Sequence, residues 1–186
     1  MQNVMRPLPH QQQGLIDLLN FSNLNNAKIL EIGSYAGDST RFFFESNRFK
    51  EIHCLDAWEA GYDSLDYASN NMLGVEESFL KFALNKSNIF IHKAYSSKIT
   101  EIFKNGYFDI VYIDACHTYD AVVSDIKMSI PKIKKGGFIA GHDYLDPNFK
   151  VTQAVHDTLG FPHQIFQDSS WIFSIEKIKS NIHHQQ

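Results

Sequence analysis

Asp114, His117, Thr118, Tyr119 and Asp120 fall within seven residues, directly after the apolar run Ile110-Val111-Tyr112-Ile113. Carboxylates beside an imidazole can move a proton, ligate a metal or hold a polar cofactor. With an intrinsic pKa near ~6.5, His117 suits proton transfer around neutrality. Comparable polar or Gly-rich groups follow other apolar runs: Glu31 to Gly37, Asp56, Tyr95-Ser96 and His142-Asp143. In "EIGSYAGDST" Gly33 and Gly37 stand four apart, and Glu31 adds negative charge. No Gly occupies position 35, so the loop departs from the dinucleotide pattern that brings backbone onto a pyrophosphate. A cationic, amine-bearing ligand fits it better than an anionic one. Asp56 lies 23 positions after Gly33, close to the spacing of an acid that holds ribose hydroxyls.

These groups must be positioned by strands and helices in alternation. Apolar strands are expected at 27–33, 51–58, 88–95, 108–114 and 136–144, the last after a Gly-Gly turn, with two more within 163–177. Helices are expected at 14–24, 38–46 (capped by Asp38 or Ser39), 75–86, 98–106, 121–133 and 150–160. Residues 59–73 show no period and have the composition of an inserted loop over the site. The pattern predicts an α/β fold, a doubly wound, mostly parallel sheet with helices on both faces. Ligands in such folds bind outside the carboxyl ends of the strands, where the polar groups fall.

With 186 residues, 44% hydrophobic and 20% charged, the chain has the make-up of one soluble domain. Its expected division is an N-terminal helical segment, 1–26, a main domain, 27–178, and a polar tail, 179–186, in which His183 and His184 are solvated. A net charge of −4 without a basic block argues against nucleic acid and anionic membranes as partners. The opening "MQNVMRPLPHQQQ" has no apolar h-region, and no run reaches the ~20 residues of a membrane span. A cytoplasmic location is therefore expected, with Cys54 and Cys116 as reduced thiols. His53 and His92 lie inside strands and are expected to pack; Tyr119 is either a packing aromatic or a substrate contact.

The stretches "ILEIGSYAGDST", "HCLDAW", "DIVYIDACHTYDAVVSDI" and "IKKGGFIAGHDY" together closely resemble the class I S-adenosylmethionine-dependent methyltransferases, and within them the small family 24 O-methyltransferases related to macrocin-type sugar enzymes. The resemblance spans roughly residues 27 to 177. It implies a Rossmann-like seven-stranded sheet with an antiparallel last strand, and S-adenosylmethionine as cofactor. Gly33, Ser34 and Gly37 would surround the methionine part, with Glu31, Tyr35 and Ser39 completing that set. Asp56 would hold the ribose, Ala57 or Trp58 would lie against the adenine, and Tyr95 and Ser96 beside it. His117 becomes the candidate base and Asp114 a cofactor contact or metal ligand. His142 and Asp143 fall where metal-dependent relatives place two further ligands. Two carboxylates and one imidazole leave Mg, Mn, Fe, Zn or no metal open. The expected activity is O-methylation of a small hydroxylated acceptor, such as a sugar, by a monomer or homodimer. A metal-dependent hydroxylase on the same fold and a non-catalytic nucleoside-binding module are the alternatives.

Overall fold

In a computed structural model of the chain, residues 9–70 and 72–176 are described; the expected tail with His183 and His184 lies outside them. Among the described residues, six helices and seven strands alternate as expected. The strands are β1 (Ala27–Ile32), β2 (Phe49–Asp56), β3 (Ile89–Lys93), β4 (Phe108–Ile113), β5 (Ile133–Gly141), β6 (Gln164–Ile165) and β7 (Trp171–Ser174). The helices are α1 (Pro9–Ser22), α2 (Asp38–Glu45), α3 (Val75–Ala83), α4 (Ile99–Ile102), α5 (Tyr119–Ser129) and α6 (Val151–Leu159). The strands form one sheet in the order β3-β2-β1-β4-β5-β7-β6. β1 to β5 pair in parallel, and β7 runs antiparallel to β5.

Side-chain alternation along the strands makes two cores, one per face. Leu30 and Ile32 of β1 join Val111 and Ile113 of β4 under Ile99, Val122, Ile126 and Val155 of α4, α5 and α6. Ile29, Ile110 and Tyr112 point the other way, under Leu18, Phe43 and Phe79 of α1, α2 and α3. Glu31 shares that second face and is fully buried, so hydroxyl donors must satisfy it.

Local details differ from expectation. Gly136-Gly137 is not a turn before β5 but an irregularity within it: Phe108 pairs Ile133, then Ile110 pairs Phe138, with Gly136 at φ 78°. Only glycine takes that backbone at little cost. The N-cap of α2 is Gly37, at φ 91°, rather than Asp38 or Ser39, because the Ser39 hydroxyl turns to Glu31 instead. The helix expected at 98–106 shortens to a 3-10 turn at Ser96–Lys98 followed by α4. Residues 59–70 and 72–73 form irregular chain with one 3-10 turn, Tyr67–Asn70. Among the described residues, no helix is long and apolar enough to cross a membrane.

The strand order reverses between β1 and β4, which opens a crevice beyond their carboxyl ends. Backbone hydrogen bonds tie the strand tips together there. Gly33 N donates to Leu55 O (2.9 Å), Asp114 N to Ile32 O (2.8 Å), and His142 N to Ile113 O (3.1 Å).

Candidate active site

Two cavities meet at this crevice, of about 340 and 260 Å³. Gly33, Tyr35, Tyr62, Asp114 and Ala115 line both and form the boundary between them. The tips of β1, β2 and β4 therefore converge, as the sequence implied: Gly33, Asp56 and Asp114 all face the smaller cavity.

The glycine loop approaches the β4 tip too closely for any side chain. A Cβ on Gly33 would stand 1.9 Å from the Asp114 carbonyl oxygen, and its φ of 84° is left-handed. Below the loop, the Glu31 carboxylate accepts hydrogen bonds from Ser34 Oγ (2.6 Å), Ser39 Oγ (2.6 Å) and Thr40 Oγ1. Burial pushes the Glu31 carboxyl up, and the three hydroxyls oppose that shift. Glu31 lines neither cavity; it fixes Ser34 and Ser39, which line the larger one. Gly37 likewise serves the backbone, turning the chain into α2 with Phe79 packed against it.

In the smaller cavity, Asp56 ends β2 beside Ala57, with Tyr95, Ser96 and the α5 residue Asp125 also on the wall. Asp56 Oδ2 accepts from Tyr35 N (2.9 Å) and Oδ1 from Trp58 N (2.7 Å). The backbone N–H groups of Ser34 and Ala57 also act on this carboxylate, so a ligand hydroxyl would share it with them. Burial raises the Asp56 carboxyl, and the surrounding N–H groups counter it. Trp58 lines neither cavity. Its indole packs against Phe79 (centroids 5.0 Å apart) and donates to Tyr35 O (2.9 Å), which fixes the loop rather than presenting a face to a ligand.

The larger cavity holds the imidazole site. His117 is 8% exposed and stacks on Phe149, ring centroids 3.9 Å apart. Its Nδ1 lies 2.7 Å from Asp63 Oδ2, and its backbone N donates to the same oxygen at 2.7 Å. Asp63 is therefore an orienting residue, and Leu65 N holds its other oxygen (2.8 Å). Sequence reasoning missed it. The only sign was an acid within the aperiodic 59–73 stretch, 54 positions from its partner.

The opposite nitrogen faces the chemistry. His117 Nε2 lies 2.9 Å from Asp143 Oδ2 and 3.9 Å from Asp114 Oδ1. These are ion-pair distances, yet no hydrogen bond is aligned on this buried atom. Burial alone would lower the His117 pKa, but Asp114 and Asp143 outweigh it and push it up to about 11. Against burial, His117 and His142 hold the Asp143 carboxyl well below its usual range. Burial likewise works downward on His142, and Asp143 and Asp114 raise it to about 9. Asp143 sits at φ 59°, an uncommon backbone for a residue with a side chain, and that turn brings its carboxylate between the two imidazoles.

Asp114, His117 and Asp143 each present a ligand atom within 4.8 Å of the others. His142, expected as the imidazole of a metal set, stands outside this trio with Nδ1 3.0 Å from Asp143 Oδ1. The donor set fits a divalent cation: two carboxylates, and an imidazole whose other nitrogen is held by a carboxylate, which fixes tautomer and ring. Tyr119 starts α5 and donates to Asp157 (3.0 Å), lining neither cavity. His53 and His92 face each other within the sheet, 3.0 Å apart, also away from both cavities.

Residues 30–144, more than half of the chain, match a protein family described as "Methyltransferase domain". A protein of Acanthamoeba polyphaga mimivirus, itself uncharacterised, is 28% identical over 137 residues. That match takes in 71% of this chain and 58% of the viral protein, so the chain spans less than two thirds of that relative. Among solved structures, a candidate methyltransferase from Streptococcus mutans in complex with SAH superposes with a TM-score of 0.59 at 14% identity, over 86% of this chain and 94% of that one. A candidate sarcosine dimethylglycine methyltransferase from Galdieria sulphuraria superposes with a TM-score of 0.51 at 17% identity, over 93% of this chain and 59% of the other. At these identities the structural likeness is one of fold.

Proposed function

The chain belongs to the methyltransferase-domain family, and from that premise we propose that it is an S-adenosylmethionine-dependent O-methyltransferase for a small hydroxylated acceptor. The observation that carries the proposal is the meeting of two cavities at Gly33 and Asp114, one with a ribose-type acid and the other with an oriented imidazole. When bound, S-adenosylmethionine supplies an activated methyl on a sulfonium.

Each part of the site has a task. The Asp56 carboxylate, on the wall of the smaller cavity, accepts from the ribose hydroxyls, and Ala57, Tyr95 and Ser96 wall the base. The Gly33 backbone leaves room at the boundary for the methionine portion. Asp63 holds Nδ1–H of His117, which keeps Nε2 toward the acceptor side. In the structure as it stands, Asp114 and Asp143 retain a proton on that imidazole. Positive charge beside the two carboxylates lowers the hold on that proton, which passes to solvent, and the freed Nε2 then accepts one from the acceptor hydroxyl. Alternatively, Asp114, His117 and Asp143 would hold a divalent cation, with His117 offering Nε2 as a ligand in place of its role as base, and that cation would supply a Lewis acid that lowers the hydroxyl's pKa.

Calorimetric titration of S-adenosylhomocysteine tests the reading. Binding in the wild type and its loss in His117→Ala together with Asp56→Ala is not the expected pattern; Asp56→Ala alone is expected to lose it. His117→Ala is expected to keep binding and lose methyl transfer. Transfer that survives chelation assigns His117 as the base, whereas transfer lost to chelator and restored by added metal assigns it as a ligand. Stoichiometric iron without methyl transfer would favour a hydroxylase on the same site instead.

A further inference from the structure

Consecutive side chains on an extended strand point to opposite faces of the sheet. His142 and Asp143 follow β5 directly and depart from that rule. The left-handed turn at Asp143, φ 59°, swings its carboxylate back beside its own neighbour, so that His142 Nδ1 lies 3.0 Å from Asp143 Oδ1. The other oxygen, Oδ2, lies 2.9 Å from His117 Nε2. One carboxylate thus meets two imidazoles, one through each oxygen.

A residue with a side chain takes such a backbone at a cost, and keeps it only where the surroundings enforce it. Here they do so from both sides. His142 N donates to Ile113 O (3.1 Å), and His142 O accepts from Trp171 Nε1 (3.2 Å). Beyond the turn, Tyr144 N donates to Ser169 O (3.0 Å), and Asp146 N donates to Asp143 O (3.2 Å). Gly141 admits no side chain, since a Cβ there would stand 2.5 Å from Ile113 O and 2.6 Å from the Trp171 ring. The β5 tip is clamped between β4 and β7. A carboxylate on a fixed backbone still turns about its Cβ–Cγ bond, because that torsion is broad, unless both oxygens are held. His142 supplies the second hold. It lines the larger cavity but stands outside the trio of Asp114, His117 and Asp143. Two outer contacts therefore flank the central pair: Asp63 on the Nδ1 side of His117, and His142 on the Oδ1 side of Asp143.

We propose that His142 is a positioning residue: its Nδ1–H holds Asp143 Oδ1, which keeps Oδ2 turned to His117 Nε2, and its own Nε2 takes no part in holding ligand or metal. The inference rests on the methyltransferase reading and adds to it a residue that acts through Asp143. It serves either role of His117, because the base and the metal ligand both need that oxygen in place.

Asn and Gln separate the two ring nitrogens of a histidine. An Asn side chain puts its NH₂ where Nδ1 stands, a Gln puts it where Nε2 stands, and Leu has no donor. His142→Asn, His142→Gln and His142→Leu are made in the full chain with isotope-labelled histidine, and long-range proton–nitrogen NMR reads the His117 ring at one pH. Loss of signals in His117→Gln assigns them, and Asp143→Asn sets the displacement that follows from losing the carboxylate. Circular dichroism checks each fold. His142→Leu and His142→Gln are expected to shift the His117 Nε2 resonance by most of the Asp143→Asn displacement, and His142→Asn is expected to leave it at the wild-type position. A shift in His142→Asn with none in His142→Gln overturns the assignment, because it moves the role to Nε2. No shift in any of the three overturns it as well, since Asp143 is then held without His142. An equal shift in all three does the same, as the mark of a merely structural residue. If His142→Leu does not fold, His142→Asn and His142→Gln decide. Calorimetry of S-adenosylhomocysteine on the wild type is read separately: no binding overturns the methyltransferase reading and the catalytic purpose of this contact, whereas a contrary NMR pattern overturns the contact alone.

Discussion

Replacing Asp63 by Asn removes one charge and changes almost no volume. In the native site Asp63 Oδ2 accepts two N–H groups of His117 and Oδ1 accepts Leu65 N. An amide has one oxygen for these three donors, and its NH₂ must face one of them. Oriented toward His117, it leaves the Leu65 N–H unpaired, which costs ~1–3 kcal/mol at a buried position. The two surviving hydrogen bonds lose their charge assistance, about 1 kcal/mol each. The sum, ~3–5 kcal/mol, corresponds to a fall in Tm of about 6–20 °C for a chain of this size. Loss of the fixed tautomer is expected to lower turnover by ~10²–10⁴, the range of general-base catalysis. Because Asp63 lines neither cavity, S-adenosylhomocysteine affinity is expected to stay within about threefold of wild type. Calorimetry, thermal unfolding and transfer of labelled methyl read the three quantities. Wild-type turnover in a variant whose Tm has fallen would refute the orienting role. Unchanged Tm and turnover together would refute the contact itself.

Gly33→Ala puts a methyl group 1.9 Å from the Asp114 carbonyl oxygen and forces a left-handed backbone; a loss of ~2–5 kcal/mol is expected, read as a lower denaturant midpoint. Asp56→Ala removes both acceptors offered to ribose and is expected to weaken S-adenosylhomocysteine at least tenfold by calorimetry, with Tm changed far less than in Gly33→Ala. Burial raises Asp125 from 3.8 to about 6 against a hydrogen bond from Ser96. The folded state therefore holds that proton more tightly than the unfolded chain, so stability from this group is full below about pH 4 and is lost as pH rises to about 6. Asp125→Asn is expected to gain ~1–3 kcal/mol relative to wild type between pH 5 and pH 7, measured by urea unfolding; a flat difference across that window would remove the assignment.

The sequence by itself determined the layout of the fold and the location of the site. Apolar runs of strand length, separated by helical periods, leave few arrangements except a doubly wound sheet, and polar residues at the ends of those runs belong at its carboxyl edge. Gly33, Asp56 and Asp114 were legible for that reason: each immediately follows or ends a strand, so local pattern places it. Trp58, offered with Ala57 as the adenine wall, lines neither cavity, and His142 lines the larger one but stands outside the metal-spaced trio. Both stand next to a strand tip, but the direction of a side chain there depends on loop backbone, left-handed at Trp58 and at Asp143, which no periodicity encodes. Asp63 was not legible at all, because its role arises only where an aperiodic segment folds back over His117. The charge of the larger cavity is the same kind of fact. Asp38, Asp66 and Asp168 carry no site signal in the linear chain, and only tertiary packing brings them to the cavity that Asp114 and Asp143 also line. Short-range patterns fix where elements run; the energy of bringing like charges together is set by distances that exist only once the elements have packed.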